Sequence, residues 1–169
     1  MRRTIVTLFL IISVLTLIAQ TNSGKNRKEK RAEKNLKLEI LIDSLVQSRN
    51  YTVEAQSAQP MGWQQIQLTS LYELKVRGDS VEVYLPYFGR AYAVDYASTE
   101  GGIKIKSDIK NYQLEKKRKR SEITFETQTS FDHYQFRISI SISGFATIYV
   151  NSNNRQAINF NGVLKRPDF

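Results

Sequence analysis

Alternation of apolar and polar side chains governs this chain from Tyr51 onward, and such a pattern permits little besides antiparallel sheet. In "LYELKVRGDSVEVYL", residues 71–85, Gly78-Asp79 fits a two-residue hairpin turn. That turn sets Val76 opposite Val81, Leu74 opposite Val83 and Tyr72 opposite Leu85, with all six on one face. A slip by one residue would turn the whole set to the other face, so the pattern fixes the register. The turn spells Arg-Gly-Asp, a cell-adhesion tripeptide, but turn chemistry accounts for it without adhesion.

A second hairpin follows from "YQFRISISISGFATIYV", residues 134–150. A two-residue turn at Ser143-Gly144 would put Ile140 against Thr147 and spoil the apolar face. A three-residue loop, Ile142 to Gly144, pairs Ile140 with Ala146, Ile138 with Ile148 and Phe136 with Val150, with Gly144 at the position that needs positive φ. In "IKNYQLEKKRKRSEITFET" Leu114 can face Ile123 and Tyr112 can face Phe125, which leaves Lys116, Lys117, Arg118, Lys119 and Arg120 at a hairpin tip. The last strand alternates Ile158 and Phe160 with Asn159 and Asn161. Upstream, Leu38, Leu41, Ile42 and Leu45 recur at helical spacing, a stripe suited to packing on the sheet. The expectation is an α+β domain: an N-terminal amphipathic helix, then a large curved antiparallel sheet of eight to ten strands, sandwich- or barrel-like.

The N-terminus bears on the compartment. Arg2 and Arg3 precede an apolar run of about 15 residues, Ile5 to Ala19, and then small polar residues. That is the layout of a secretory signal peptide, residues 1–23, and the run falls short of the roughly 20 residues of a membrane span. Residues 24–35 read as a basic, solvated helix start or linker, and 36–169 as one domain. With no cysteine, the chain carries neither a disulfide nor a lipid on an N-terminal cysteine, so a packed core must supply its stability. Export to the periplasm or beyond is expected, with no retained transmembrane helix.

The net charge of +9 is local. Residues 25–37 hold seven basic and two acidic side chains, and "KKRKR" adds five more cations; apart from these runs and Arg2 and Arg3 the chain is mildly acidic. A basic face spread over the fold is therefore not expected, nor is nucleic acid as a partner. The tip cations suit discouragement of edge aggregation, or weak contact with an anionic surface.

Catalytic chemistry finds few residues to work with. One histidine and no cysteine leave no Cys/His nucleophile pair and no His-rich zinc site. His133 follows Asp132, and neighbours on an extended chain point to opposite faces, poorly placed to pair. "EGGIKIK" is a turn into a strand, with no phosphate-cradling glycine loop. Asp95, flanked by tyrosines, stands apart from the other acids, but glycoside hydrolysis needs two carboxylates. No cofactor, metal or catalytic residue is expected.

The remaining feature is "YLPYFGRAY", residues 84–92. Pro86 cannot donate to a ladder and should end the strand that begins at Ser80. Gly89 suits a corner of positive φ, after which the strand should resume as "RAYAVDY". Tyrosines offer a flat apolar face with a hydroxyl tip, so Tyr87, Phe88 and Tyr92 can form a shallow ligand surface above such a corner. Arg90 would serve as donor and Asp95 as acceptor, and Arg155 is a candidate for the same end of the sheet.

"LPYFGRAY", "STEGGIKIKS", "YQFRISISISGFATIYV" and "NSNNRQAINFNG", taken in this order, make the chain from about Asn50 to Leu164 resemble the family known as domain of unknown function 4251. The resemblance implies a small exported protein of Gram-negative bacteria and supplies neither a reaction nor site residues. The functional expectation is an exported, non-catalytic domain of the periplasm or envelope that binds a glycan, a peptide or a protein partner. An envelope-associated structural protein that meets anionic surfaces through its basic runs is the second reading. A small acid/base hydrolase using Asp95 is the third.

Overall fold

A computed structural model describes residues 27–93 and 101–165. The expected signal peptide, Asp95 and Tyr96 lie outside these residues. The described residues divide into two units, the first ending at Leu38 and the second beginning at Glu39. Helix α1, residues 27–47, contributes to both. In the first unit its residues are almost all exposed, and Lys37 pairs with Glu33 one turn back at 2.7 Å. Among the described residues no helix is long and apolar enough to cross a membrane.

The second unit holds nine strands: β1 (Asn50–Pro60), β2 (Ile66–Arg77), β3 (Ser80–Leu85), β4 (Ile103–Asp108), β5 (Lys110–Lys117), β6 (Arg120–Gln128), β7 (His133–Ser141), β8 (Phe145–Ser152) and β9 (Ile158–Lys165). They form one antiparallel sheet in the order β4-β3-β2-β1-β9-β8-β7-β6-β5. The two edge strands, β4 and β5, are separated only by Ile109. A sheet whose opposite edges are joined by one residue has to curl until those edges meet. Here they do: Ser107 Oγ on β4 donates to the Gln128 carbonyl at 3.0 Å, and Thr127 Oγ1 on β6 donates to the Asp108 carbonyl at 3.0 Å. Residues 103–117 thus act as one long staggered strand, pairing with β3 along its first half and β6 along its second. The corner falls near Asn111, whose φ of 54° is one that asparagine tolerates better than most residues. The result is a nearly closed, barrel-like meander.

The hairpins follow the registers read from the sequence. Val76 faces Val81 and Leu74 faces Val83 across β2–β3, with φ of 61° at Gly78. Ile140 faces Ala146, Ile138 faces Ile148 and Phe136 faces Val150 across β7–β8, with φ of 88° at Gly144. Leu114 faces Ile123 across β5–β6. The inward set, including Leu74, Leu85, Ile123, Phe125, Phe136, Ile138, Ile148 and Phe160, is fully buried. At about 1.5–3 kcal/mol for each such side chain, this set carries the fold without a disulfide. These side chains point into the sheet, as in small barrels packed with their own side chains.

Three details differ from expectation. Tyr72 does not continue the inward face opposite Leu85: the β2–β3 ladder runs only as far as Glu73–Tyr84, and the Tyr72 ring stacks on Tyr84 at 5.4 Å. Beside it β1 has a bulge between Ala55 and Ser57, and partner positions on β2 jump from Tyr72 to Gln67. Tyr112 lies within a register shift of β5, so it meets Phe125 by ring stacking at 6.3 Å and not as a strict pair. In α1, Ile42 and Val46 are the buried positions, whereas Leu41 and Leu45 are half-buried.

Residues 39–47, the turn at 78–79, the loop at 142–144 and the basic tip share one end of the sheet. The Gly78 amide donates to the Arg49 carbonyl at 2.8 Å, and Lys116 pairs with Asp43 at 2.8 Å. The connections after β1, β3, β6 and β8 all lie at the opposite end.

Candidate functional site

The β3–β4 and β8–β9 connections meet at that opposite end. β3 stops at Leu85, and the buried Pro86 turns the chain out of the ladder. Tyr87 then folds back, its one hydroxyl proton shared between the carbonyls of Arg90 at 2.7 Å and Gln156 at 3.0 Å. A side chain at position 89 would collide with this ring, since a Cβ there would sit 2.7 Å from the Tyr87 hydroxyl oxygen. Gly89 therefore leaves room for the folded-back Tyr87 ring, which any larger residue would push aside, and the expected positive φ is not found. Burial raises the Tyr87 hydroxyl pKa above its ordinary value, and the Arg155 guanidinium opposes that rise.

The strand expected to resume as "RAYAVDY" is reduced, within its described part, to one bridge between Ala91 and Arg155. Hydrogen bonds extend it: the Tyr92 amide donates to the Asn154 carbonyl at 2.7 Å, and the Gln156 amide donates to the Arg90 carbonyl at 3.0 Å. Arg155 Nη1 donates to the Gly102 carbonyl at 2.5 Å, and its guanidinium lies over the Tyr87 ring at 5.1 Å. Gly102 takes a φ of 135°, the region open to glycine, with the Leu85 carbonyl 3.0 Å from where a Cβ would stand.

Asp132 secures the neighbouring connection. It is 5% exposed, and its Oδ1 accepts the amides of His133, Asn153 and Asn154 at 2.8, 3.1 and 3.3 Å. Asn154 Nδ2 donates to the Phe131 carbonyl at 2.9 Å. Three connections are thus tied by backbone and buried polar groups, and this fixed base presents aromatic rings to solvent: Tyr92 is 70% exposed and Phe131 37%.

The structure brings Tyr87, Arg90, Tyr92 and Arg155 together. Tyr87 and Arg155 face inward to hold the connections, Phe88 is half-buried, and Arg90 and Tyr92 are exposed. Of the tip cations, Lys116 pairs with Asp43, while Lys117 and Arg120 both pair with Glu122. Arg118 and Lys119 form the tip itself. His133 opens β7, with Nε2 3.7 Å from Glu126 Oε2. Asp132, engaged with three backbone amides, is not its orienting partner.

One exposed ring was not singled out from the sequence. Trp63, 74% exposed, stands at the tip of the β1–β2 hairpin in "PMGWQQ". The signal was available: a turn carries the sole tryptophan of the chain, between methionine, glycine and two glutamines.

The fold and this end define a barrel-like antiparallel domain with an aromatic, hydrogen-bonded loop end. The family model described as domain of unknown function (DUF4251) matches residues 30–164, and the chain belongs to that family. The match begins in α1, earlier than the resemblance starting near Asn50. The chain is also similar to the crystal structure of a DUF4251 family protein from Bacteroides eggerthii DSM 20697, with a TM-score of 0.59 and 16% identity over 75% of this chain and 86% of that one. At that identity the likeness concerns the fold. No curated protein matches the chain.

Proposed function

We propose that this protein is an exported, non-catalytic binding domain of the periplasm or cell envelope, whose ligand is a glycan, a peptide or a protein partner. Its surface is the loop end around Phe88, Arg90 and Tyr92, with Tyr87 and Arg155 as the frame beneath. The observation that carries this reading is Tyr92: a ring 70% exposed on a backbone fixed to Asn154 at 2.7 Å. Rigid aromatic groups on an immobile base bind with little loss of conformational entropy. Large side chains from the inner face of the sheet are fully buried, which favours a ligand surface on the outside. Export rests on the residues of the N-terminus alone.

The described acids support a role without turnover, because the two buried ones are committed to structure. Glu73 is held by Lys75 and Lys165, and Asp132 by three amides. The pairing of three tip cations likewise weakens the reading in which "KKRKR" grips an anionic surface.

The test combines calorimetric titration with product analysis, using envelope glycan fragments and peptides. A ligand should bind, be recovered chemically intact, and lose about tenfold or more in affinity in Tyr92→Ala. Conversion of the ligand to a product would refute the non-catalytic reading.

A further inference from the structure

Trp63 occupies a built position. Pro60, Met61, Gly62 and Trp63 form a turn in which the Trp63 amide donates to the Pro60 carbonyl at 3.3 Å. Gly62, at the third turn position, has a φ of 78°, as a type II turn requires. On the returning side Gln65 Nε2 donates to Ser57 Oγ at 2.8 Å, and Ser57 is itself buried on β1. The hairpin thus holds its tip from both sides, and the tip presents the largest side chain of the chain to water.

Beside the indole lies an open depression of about 470 Å³, lined by Gly62, Trp63, Gln64, Gln65 and Ile66. None of the five lining residues is ionisable, so no charged side chain stands ready for a phosphate or a carboxylate. An indole face, two side-chain amides and an aliphatic wall instead match a ring that has an apolar C–H face and neutral hydroxyls at its edge. Each amide both donates and accepts, as the hydroxyls of a sugar do.

We infer that the β1–β2 tip is a carbohydrate-binding site, in which Trp63 stacks on a neutral sugar ring and Gln64 and Gln65 hydrogen-bond its hydroxyls. The site is distinct from the surface around Tyr92 and stands whether or not that surface binds anything.

Because Trp63 is the only tryptophan, emission excited where tyrosine does not absorb reports on this site alone. The probes are cellohexaose, maltohexaose, xylohexaose, mannohexaose and N-acetylchitohexaose, titrated at low and high salt. At least one should shift the emission saturably and equally at both salt concentrations, since no charge takes part. By calorimetry, Trp63→Ala should weaken that binding about tenfold or more, Trp63→Phe should keep part of it, and Tyr92→Ala should leave it unchanged. An unchanged emission with all five sugars overturns the inference. So does a shift produced only by anionic vesicles or polyanions, or a sugar affinity that survives Trp63→Ala.

Discussion

Gly162 of β9 and Glu54 of β1 lie so close that a methyl group on Gly162 would overlap the Glu54 carbonyl oxygen. This contact sits beside the β1 bulge, on the seam where the first and last strands pair and join the two halves of the meander. The obstruction is backbone, which cannot move aside as a flexible side chain could. Gly162→Ala should therefore cost about 3 kcal/mol or more, or prevent folding, as read from a thermal melt by circular dichroism. A melt within a degree of the parent would show that the seam is looser than described.

Tyr87→Phe removes the hydroxyl that serves the carbonyls of Arg90 and Gln156 while keeping the ring under Arg155. The expected loss is about 1 kcal/mol. Its local signature is faster amide exchange at Tyr92 and Gln156, whose hydrogen bonds tie the two connections together.

Asp132→Ala removes an acceptor shared by three amides at a buried position, and Asn153 keeps only its 3.3 Å bond to the His133 carbonyl. A loss of about 2–4 kcal/mol follows, larger than that of Tyr87→Phe. Asp132→Asn keeps an acceptor oxygen and should recover part of the difference.

The Glu73 carboxyl titrates below its ordinary range: burial acts to raise it, but the Lys75 ammonium and then Lys165 together outweigh that. A group depressed in the folded state stabilises above its unfolded pKa, about 4.3, and loses that contribution as pH falls through the lower folded value. Glu73→Gln should therefore be less stable than the parent at pH 7, by about 1 kcal/mol, and the gap should close on acidification below about pH 4. Urea melts over that range measure it.

Much of the fold was legible because the hairpins are local. Val76 with Val81 and Ile138 with Ile148 are paired through short turns, and a turn of given length leaves one register that keeps both strands apolar on the same side. The pairing of β1 with β9 is another matter, because more than a hundred residues separate Ala55 from Gly162 and no turn records it. The division of 103–117 between β3 and β6 was hidden for a similar reason: alternation specifies a face, not which neighbour supplies the ladder. At the loop end, aromatic density marked "YLPYFGRAY", yet the role of Gly89 was misread. Glycine gives space as well as positive φ, and only the position of the Tyr87 ring tells the two apart. Arg155 joined the same cluster through its backbone bridge to Ala91, a contact that neighbouring residues do not encode.

The most direct measurement is a melting-temperature screen of the parent, Tyr92→Ala and Arg118→Ala/Lys119→Ala against envelope glycans, peptides and anionic polymers at low and high salt. Tyr92→Ala alone should change stability by no more than about 0.5 kcal/mol, because the ring is exposed. A ligand at about 100 times its Kd stabilises by about 2.7 kcal/mol, or roughly 5–10 °C for a domain of this size. With Trp63→Ala added throughout to silence the β1–β2 tip, the expected result is a salt-resistant rise that survives Arg118→Ala/Lys119→Ala and disappears in Tyr92→Ala. A rise produced only by polyanions, lost in salt and in the tip variant but kept in Tyr92→Ala, would contradict a binding surface at the loop end and place the contact at the basic tip.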